Sequence, residues 1–365
     1  SGGYLMNLYK SPTYLQDLDD TISKTNLLSA FHDKSVFITG AGGLICSAIV
    51  DLLLRYNERS GESIHVYVGG RKESSILNRF SRYKDSSRLH FIPYDASTPN
   101  LFDFHVDYII HGASNASPAK IQEKPVETML DNFCGLHELL TYATAQNVQN
   151  TVFISSSEIY GTRQFRTDKP FHENEYGFID LLNPRSSYSV GKRAAETLCA
   201  SYAYEKNLSV SIVRPGHIYG PTAKKDDNRV ASAFAYDASA GKPLVLKSDG
   251  SQLRSYCYIL DCATAILAVL LRGNRAAAYN ISNPNSIISI RTLAELYARY
   301  GNVDLVFDLP TEKEQKAFNP MANSSLDSTC LESLGWTPLF DAATGTEHTI
   351  KILQEAHEKT DRLMF

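Results

Sequence analysis

The sequence predicts an α/β fold in which a doubly wound parallel sheet carries a smaller C-terminal lobe. Short apolar runs recur from residue 35 onward, segments with apolar residues at helical spacing separate them, and a glycine-rich turn follows the first run. Because parallel strands need crossover connections, we expect helices on both faces of the sheet. The predicted strands are 35–39, 64–69, 89–92, 107–110, 150–155 and 208–213. The predicted helices are 44–56, 74–83, 126–146, 188–206, 261–272, 290–300 and 341–357.

Composition excludes several classes of protein. The 365 residues include 36 Lys and Arg against 40 Asp and Glu, a net charge of -4 that offers no basic surface for nucleic acid or an anionic membrane. The longest apolar stretch, 263–271, is shorter than the roughly 20 residues that cross a bilayer. The six cysteines are scattered without metal-ligand spacing, and no secretory signal is recognised. A cytoplasmic protein with reduced thiols and no metal is expected.

A glycine-rich turn joins the first predicted strand to the first helix. Its sequence, Gly40-Ala41-Gly42-Gly43-Leu44-Ile45-Cys46, allows the backbone to approach a pyrophosphate at the N-terminus of the helix. This pattern is typical of a Rossmann-like dinucleotide site, with Gly40, Gly43, Leu44 and Ile45 as candidate cofactor contacts. Cys46 stands where a third glycine would permit close packing of helix on sheet. Because cysteine is small, we expect a displaced helix and an intact site.

The end of the second predicted strand bears on the choice of dinucleotide. It reads Val68-Gly69-Gly70-Arg71-Lys72, without the carboxylate that usually binds the adenosine ribose of NAD. Arg71 could pair with the 2′-phosphate of NADP or stack on adenine, or belong to a solvated basic turn. The missing carboxylate and Arg71 favour NADP, which is kept as the alternative to NAD.

The chain is expected to form three regions. Residues 1–33 show weak helical periodicity and are predicted to be an extension packed on the core or on a partner subunit. Residues 34–215 form the dinucleotide-binding domain, with a substrate loop near 173–187. After residue 215 the pattern loosens into segments punctuated by Gly and Pro, so 216–365 is predicted to be mainly a substrate-binding lobe.

A tyrosine and a lysine open the predicted helix 188–206. Tyr188 and Lys192 are four residues apart, on one helical face, where an ammonium could favour the phenolate and lower the pKa of the tyrosine. The strand ending near residue 155 is followed by Ser156, Ser157 and Glu158. Doubly wound folds bind ligands at the carboxyl ends of their strands, so a proton-transfer site is predicted there.

Together these motifs resemble the NAD-dependent epimerase/dehydratase family of extended short-chain dehydrogenases/reductases, over residues 35 to about 350. The other matching pieces are Asp95, His111-Gly112-Ala113, Asn132, Arg214-Pro215-Gly216-His217-Ile218-Tyr219-Gly220-Pro221 and Leu334-Gly335-Trp336-Thr337-Pro338. The resemblance implies a nucleotide-sugar enzyme that oxidises C4 of the sugar with bound NAD, in polysaccharide biosynthesis. It implies that Ser156 and Tyr188 contact the sugar hydroxyl and that Lys192 holds the nicotinamide ribose. The other cofactor contacts it implies are Asp95 at the adenine, with Ala96, Ala113 and Pro215.

Within the family, Ser157-Glu158 bears on the reaction. The resemblance implies Asp-Glu here for 4,6-dehydratases, no carboxylate requirement for 4-epimerases, and Ser-Glu for UDP-glucuronate decarboxylases. Three further stretches are most similar to the decarboxylase group: 183–188, 227–234 and 250–256. They contain Arg185, Arg229 and Arg254, the guanidinium groups that phosphates and a sugar carboxylate would call for.

The resemblance leaves several alternatives open. His217 replaces the usual Asn that touches the sugar nucleotide and remains a candidate substrate contact, while 319–326 lacks an Arg that relatives place against a phosphate. A decarboxylase with Glu158, Ser157 or Arg254 managing protonation at C5 is the first hypothesis. A 4-epimerase or 4,6-dehydratase is the second, and a dinucleotide-binding regulatory module without turnover is the third. Helices 126–146 and 188–206 are similar to the pair through which relatives dimerise, so a homodimer is expected.

Overall fold

The computed structural model describes residues 6–61, 63–114, 118–165, 167–308 and 322–357. Its central feature is a seven-stranded parallel sheet with strand order β10-β6-β5-β4-β1-β2-β3. These strands are β1 (Ser35–Thr39), β2 (His65–Gly70), β3 (Leu89–Pro93), β4 (Tyr108–His111), β5 (Asn150–Ile154), β6 (Val210–Pro215) and β10 (Ala278–Ile281). The six predicted strands are confirmed, each with bounds within two residues of those expected.

Helices cover both faces of the sheet, as predicted. They are α1 (Pro12–Thr25), α2 (Leu44–Ser60), α3 (Glu73–Arg79), α4 (Pro118–Glu123), α5 (Pro125–Ala145), α6 (Ser187–Glu205), α7 (Val230–Ser239), α8 (Ile259–Arg272), α9 (Ile290–Gly301), α10 (Thr329–Glu332) and α11 (Ala342–His357). Alternate residues of β1 enter different cores, because side chains of a strand point to opposite faces. Ile38 packs with α2 and α8, whereas Phe37 packs with α5 and α6.

The strand order places a crevice at the carboxyl end of β1. The chain proceeds from β1 to β2 and β3 on one side and then crosses to β4, β5 and β6 on the other. At such a reversal the loops after neighbouring strands diverge and leave room for a ligand. The glycine-rich turn after β1 lies at this point.

The seventh strand extends the sheet beyond the predicted domain boundary at residue 215. Ala278–Ile281 pairs in parallel with β6, and the preceding α8 packs on α2. A strand of only four residues that follows a loop is too short to be recognised from periodicity in the sequence. Residues 259–281 therefore belong structurally to the sheet and its helical cover.

The remaining C-terminal elements form the smaller lobe. One small sheet contains β7 (His217–Tyr219), β9 (Leu253–Tyr258) and β11 (Ile287–Ser289), and a second pairs β8 (Leu244–Leu246) with β12 (Leu305–Phe307). Helices α7, α9 and α11 pack against one another beside them. Within the described ranges, none of the helices is both long and apolar enough to span a membrane.

The N-terminal extension packs on its own chain. Helix α1 contacts α2, α8 and α11, and its Asp17 accepts a hydrogen bond from Tyr258 at 2.9 Å. The buried Asp51 of α2 accepts hydrogen bonds from Tyr9 at 2.5 Å and Tyr14 at 2.6 Å, and it pairs with Arg79 at 2.5 Å. Of the two placements expected for residues 1–33, the described part of the segment adopts the one on the core.

The contact between α1 and α11 predicts a pH-dependent stability. His348 lies 2.8 Å from Asp17, and this hydrogen bond raises the pKa of His348. The folded-state pKa exceeds the unfolded value of about 6.5, so the stabilisation is fully present below about pH 6.5 and is lost as pH rises through the folded-state pKa. We expect His348→Gln to lower the free energy of unfolding by about 0.5–1 kcal/mol near pH 5.5 and by less near pH 9. Urea unfolding at the two pH values measures this, and an equal loss at both would contradict it.

Candidate active site

The glycine-rich turn has the shape that a pyrophosphate requires. Gly40 has a φ of 69°, and a Cβ there would lie 2.8 Å from the backbone nitrogen of Ala113, so the turn and the loop after β4 are in close contact. Gly43 is the N-cap of the 17-residue α2, and no described side chain caps this end. The first N–H groups of α2 and the positive end of its helix dipole are therefore directed at the crevice. These residues fit a dinucleotide.

Cys46 is accommodated because Gly112, the residue after β4, has no side chain. A Cβ on Gly112 would lie 2.3 Å from the Cys46 sulfur, so the sulfur occupies the space that a side chain at 112 would need. Because residue 112 is glycine, the turn has room for Cys46 in place of a third glycine. Burial raises the pKa of the Cys46 thiol to about 12, so the group is a neutral packing element.

The predicted adenosine contacts lie around the end of β3. Asp95 accepts hydrogen bonds from the backbone nitrogen of Ser97 at 3.0 Å and from its hydroxyl at 2.7 Å, and these bonds lower the pKa of the carboxyl. Ala96 is packed where Gly135 of α5 leaves space, since a Cβ on Gly135 would lie 2.9 Å from that of Ala96. Arg71 is exposed and close enough to act on the charge of Asp95.

The segment after β5 meets the start of α6, as predicted. Ser156 is the N-cap of a 3-10 turn, Ser157–Tyr160, and its hydroxyl accepts a hydrogen bond from the backbone nitrogen of Glu158 at 3.2 Å. The same hydroxyl lies near the buried Tyr188 and acts to lower its pKa. Glu158 receives a long hydrogen bond of 3.5 Å from Ser189. Ser156, Glu158 and Tyr188 are therefore neighbours at one end of the sheet.

The expected lowering of the Tyr188 pKa by Lys192 is not present in this arrangement. Burial and then the charge of Glu158 raise the pKa of Tyr188, and the nearby hydroxyl of Ser156 and the cation of Arg229 only partly oppose them. The Lys192 ammonium donates instead to the carbonyl of Ile154 at 2.9 Å and lies 5.7 Å from the centre of the Tyr188 ring. Burial lowers the pKa of Lys192 to about 7. Tyr188 therefore needs additional positive charge near its oxygen to become a base.

Two residues line a deep part of the cleft. Glu158 and His217 both expose surface to solvent although protein surrounds them. Enclosure raises the pKa of Glu158. Enclosure and then the cations Arg254 and Arg229 lower the pKa of His217 to about 4, so its imidazole is neutral near pH 7. A neutral imidazole can both donate and accept a hydrogen bond.

Two of the three predicted arginines, Arg254 and Arg229, lie close enough to His217 to act on its charge. Arg254 is buried on β9, donates to the carbonyl of Leu253 at 2.8 Å, and has its pKa lowered by burial. Arg229 forms a bidentate pair with Asp227, and its Nε lies 2.9 and 3.1 Å from the two carboxylate oxygens. Arg185 is exposed on the 3-10 turn before α6 and forms no hydrogen bond or ion pair with the described cleft residues. Of the stretch 319–326, which lacks the Arg that relatives place against a phosphate, residues 319–321 lie outside the described residues.

Sequence reasoning missed a buried polar network behind the candidate catalytic residues 156–158. Glu196 of α6 pairs with Arg214 of β6 at 2.6 Å, and Arg214 also donates to the hydroxyl of Tyr160 at 3.0 Å. Tyr160 in turn donates to Asn280 of β10 at 2.5 Å. The one available signal was the position of Glu196, four residues after Lys192 on the same helical face. A carboxylate on a buried face requires a partner, but the pattern does not identify it.

Comparisons with known proteins agree with this geometry. The sequence matches the NAD dependent epimerase/dehydratase family over residues 36–282. It is 30% identical to UDP-glucuronic acid decarboxylase 3 of Arabidopsis thaliana over 306 residues, 83% of this chain and 84% of that protein. It is 26% identical to UDP-glucuronic acid decarboxylase 1 of Xenopus tropicalis over 91% of this chain and 75% of that protein.

Solved structures share the fold. UDP-glucose 4-epimerase of Thermotoga maritima, with UDP-glucose, has a TM-score of 0.73 at 22% identity, covering 88% of this chain and 99% of that one. UDP-glucuronic acid 4-epimerase of Bacillus cereus, in complex with UDP-glucuronic acid and NAD, has a TM-score of 0.72 at 20% identity with the same coverage. The prediction of a doubly wound sheet is thereby confirmed.

The contact between Cys46 and Gly112 predicts a coupled pair of substitutions. Gly112→Ala should lower the free energy of unfolding by about 1–3 kcal/mol, because its Cβ overlaps the Cys46 sulfur. Cys46→Ala removes that sulfur, so the double variant should recover much of the loss. Denaturant unfolding of the four proteins gives the coupling energy. Additive losses would show that the two residues do not share this space.

Proposed function

Because the chain belongs to the NAD-dependent epimerase/dehydratase family, we propose that it decarboxylates a nucleotide-linked uronic acid, UDP-glucuronate, through transient oxidation at C4. The observation that carries the proposal is the catalytic segment. Glu158 borders Tyr188 and Ser156 there, and the adjacent Ser157 is not the acid that the resemblance implies for a dehydratase. The relatives named decarboxylases at 26–30% identity support the same choice.

The residues present fit a bound dinucleotide. Gly40, Gly43 and the first turn of α2 would hold its pyrophosphate, with Asp95 and Ala96 near the adenosine. Lys192, Ala113 and Pro215 would lie toward the nicotinamide end. Bound NAD supplies the acceptor for the C4 hydride and a positive ring. That positive charge would favour the phenolate of Tyr188, whose pKa is raised by burial in the protein alone.

In the oxidation step, Tyr188 takes the proton of the C4 hydroxyl, and Ser156 orients that hydroxyl. The C4 hydrogen leaves with its electron pair, so a 4-keto sugar forms. The ketone is β to the C5 carboxylate, and breaking the bond between C5 and the carboxylate releases CO2 and leaves an enolate. Arg254 stabilises the developing negative charge.

Protonation at C5 then completes the pentose. Glu158 suits this step, because enclosure raises the pKa of its carboxyl and favours the protonated form. The hydride returns to C4 if the product is a reduced pentose, and the proton on Tyr188 returns with it. Release of a 4-keto pentose with reduced cofactor is the other outcome.

Two other reactions use the same oxidation. A 4-epimerase would keep the carboxylate and invert C4, and a 4,6-dehydratase would lose water. Incubating the protein with UDP-glucuronate and NAD distinguishes them: released CO2 and a UDP-pentose support decarboxylation, whereas a retained carboxylate overturns it. The mass of the dinucleotide released from the purified protein distinguishes NAD from NADP. Arg71 and the absence of an acidic residue after β2 are the structural argument for NADP.

The proposed transfer of the C4 hydroxyl proton to Tyr188 predicts the effect of removing the Tyr188 hydroxyl. Tyr188→Phe should reduce turnover by at least about 100-fold with little change in dinucleotide affinity, because only the proton acceptor is lost. Tyr204→Phe is the matched control, since Tyr204 lies on the same helix and is 94% exposed. Turnover is followed by the absorbance of the reduced cofactor, and dinucleotide affinity is measured by calorimetry. Full turnover in Tyr188→Phe would contradict the assigned proton role.

We also propose that the chain forms a homodimer through α5 and α6. These helices pack on each other, and α5 exposes an apolar stripe formed by Val126, Met129, Leu130 and Phe133. The spacing i, i+3, i+4 and i+7 is the pattern of a helix that buries one face. Exposed patches of this kind mark interaction sites, and a symmetric dimer would cover both copies.

Leu130→Glu should convert the dimer to a monomer, because it places a charge in the middle of the stripe. Val245→Glu is the control, since Val245 is about as exposed, at 49% against 54%, but lies on the distant β8. Light scattering at micromolar concentration gives the mass of each protein. A monomeric unmodified protein, or a Leu130→Glu variant that stays dimeric, would refute this interface.

A further inference from the structure

Helix α6 presents a third charged residue behind the two proposed for catalysis. Tyr188, Lys192 and Glu196 are spaced four residues apart, so they lie along one face of the helix. All three are buried. The first two lie at the cleft, and Glu196 lies one turn further from it, against the end of the sheet.

Glu196 is bound on two sides. Its Oε1 accepts a hydrogen bond of 2.5 Å from the hydroxyl of Ser155. Arg214 holds both carboxylate oxygens, with Nε at 3.0 and 3.2 Å and Nη2 at 2.6 Å. Ser155 lies between Ile154, whose carbonyl accepts from Lys192 at 2.9 Å, and Ser156, which lies near Tyr188 and acts to lower its pKa. Glu196 thus anchors the short segment that contacts both catalytic groups.

Glu196 also dominates the charge around Lys192. The other titratable groups near this ammonium are Tyr188 and Cys199 of α6, Cys46 of α2 and His111 of β4. Burial raises the pKa of Tyr188 and of both thiols, and it lowers the pKa of His111 to about 3, so all four are neutral near pH 7. Among the described groups facing Lys192, the carboxylate of Glu196 is the one that favours its cationic form.

We propose that Glu196, held by Arg214, is a positioning residue for proton transfer, which anchors the segment 154–156 and supplies the buried negative charge that keeps Lys192 cationic. Its action on turnover rests on the proposed function, because Lys192 matters there as a cation beside Tyr188 and the nicotinamide ribose. Its action on Lys192 itself does not depend on any substrate.

The first test is a titration of Lys192 without cofactor or substrate. Protein labelled with 13C at the lysine side chains is titrated by NMR, and Lys192→Arg assigns the signal. The pKa of Lys192 is expected near 7 in the unmodified protein and about one unit lower, a tenfold change in ionisation, in Glu196→Gln. Asp51→Asn is the matched control, because it breaks the buried pair with Arg79 on the other face of the sheet and should leave the titration unchanged.

Two results would overturn the proposal. One is a Lys192 midpoint in Glu196→Gln equal to that of the unmodified protein, and the other is a Lys192 midpoint in Asp51→Asn that moves as far as the one in Glu196→Gln.

Because Glu196→Gln leaves Arg214 unpaired inside the protein, it risks not folding. Glu196→Gln combined with Arg214→Met avoids a buried unpaired ion. Its midpoint should still fall, by less, because Glu196 has the largest charge effect on Lys192 and Arg214 is not among the groups that shift its pKa.

The second test uses the holoenzyme. If turnover needs cationic Lys192, activity is lost as pH rises through the pKa of that group. Glu196→Gln should therefore move the alkaline limb of the pH–rate profile to lower pH, whereas Asp51→Asn should leave its position unchanged. An alkaline limb that stays in place in Glu196→Gln would reject the effect on turnover. If the unmodified protein fails to act on nucleotide sugars, the proposed function fails, and the NMR titration still decides the role of Glu196.

Discussion

The buried ion pair between Glu196 and Arg214 is the interaction on which the arrangement of this site depends. It joins α6, which carries Tyr188 and Lys192, to β6, the strand between β10 and β5 in the parallel sheet. The arginine side chain is 2% exposed, so removing one partner would leave an uncompensated charge inside the protein, at a cost of about 3–5 kcal/mol. Such a pair contributes little net stability compared with apolar packing, but it restricts which helix position can face which strand.

The same pair explains how distant parts of the chain meet at the cleft. Arg214 also donates to the backbone carbonyl of Glu173 at 2.7 Å, and the carboxylate of Glu173 accepts from the backbone nitrogen of Asn280 at 2.9 Å. The loop that contains Glu173 is therefore tied to β6 and β10 by hydrogen bonds between buried and partly buried groups. Because each group would be costly to leave unsatisfied, the loop has a defined position beside the catalytic segment.

Two departures from the family pattern are resolved by neighbours far along the chain. Cys46 fits because Gly112, at the end of β4, leaves space for its sulfur. His217 lies close to Arg229 and Arg254, and these cations together with its enclosure keep the imidazole neutral. In both places the local sequence is unusual while the tertiary environment is consistent with a dinucleotide and an anionic sugar nucleotide.

The sequence alone determined the order of the first six strands of the sheet and of seven helices, the glycine turn after β1, and the nearness of Tyr188 and Lys192 along one helical face. These are local properties, since periodicity, turn chemistry and helical spacing extend over a few residues. Only the tertiary structure decided that β10 joins the sheet, that α1 packs on its own chain, and that Arg214 faces Glu196. Those contacts join residues 18 to more than 200 positions apart, and such pairings depend on strand order and on which buried polar groups can satisfy one another. It likewise decided that the Lys192 ammonium donates to the carbonyl of Ile154, because side-chain direction follows from packing rather than from spacing.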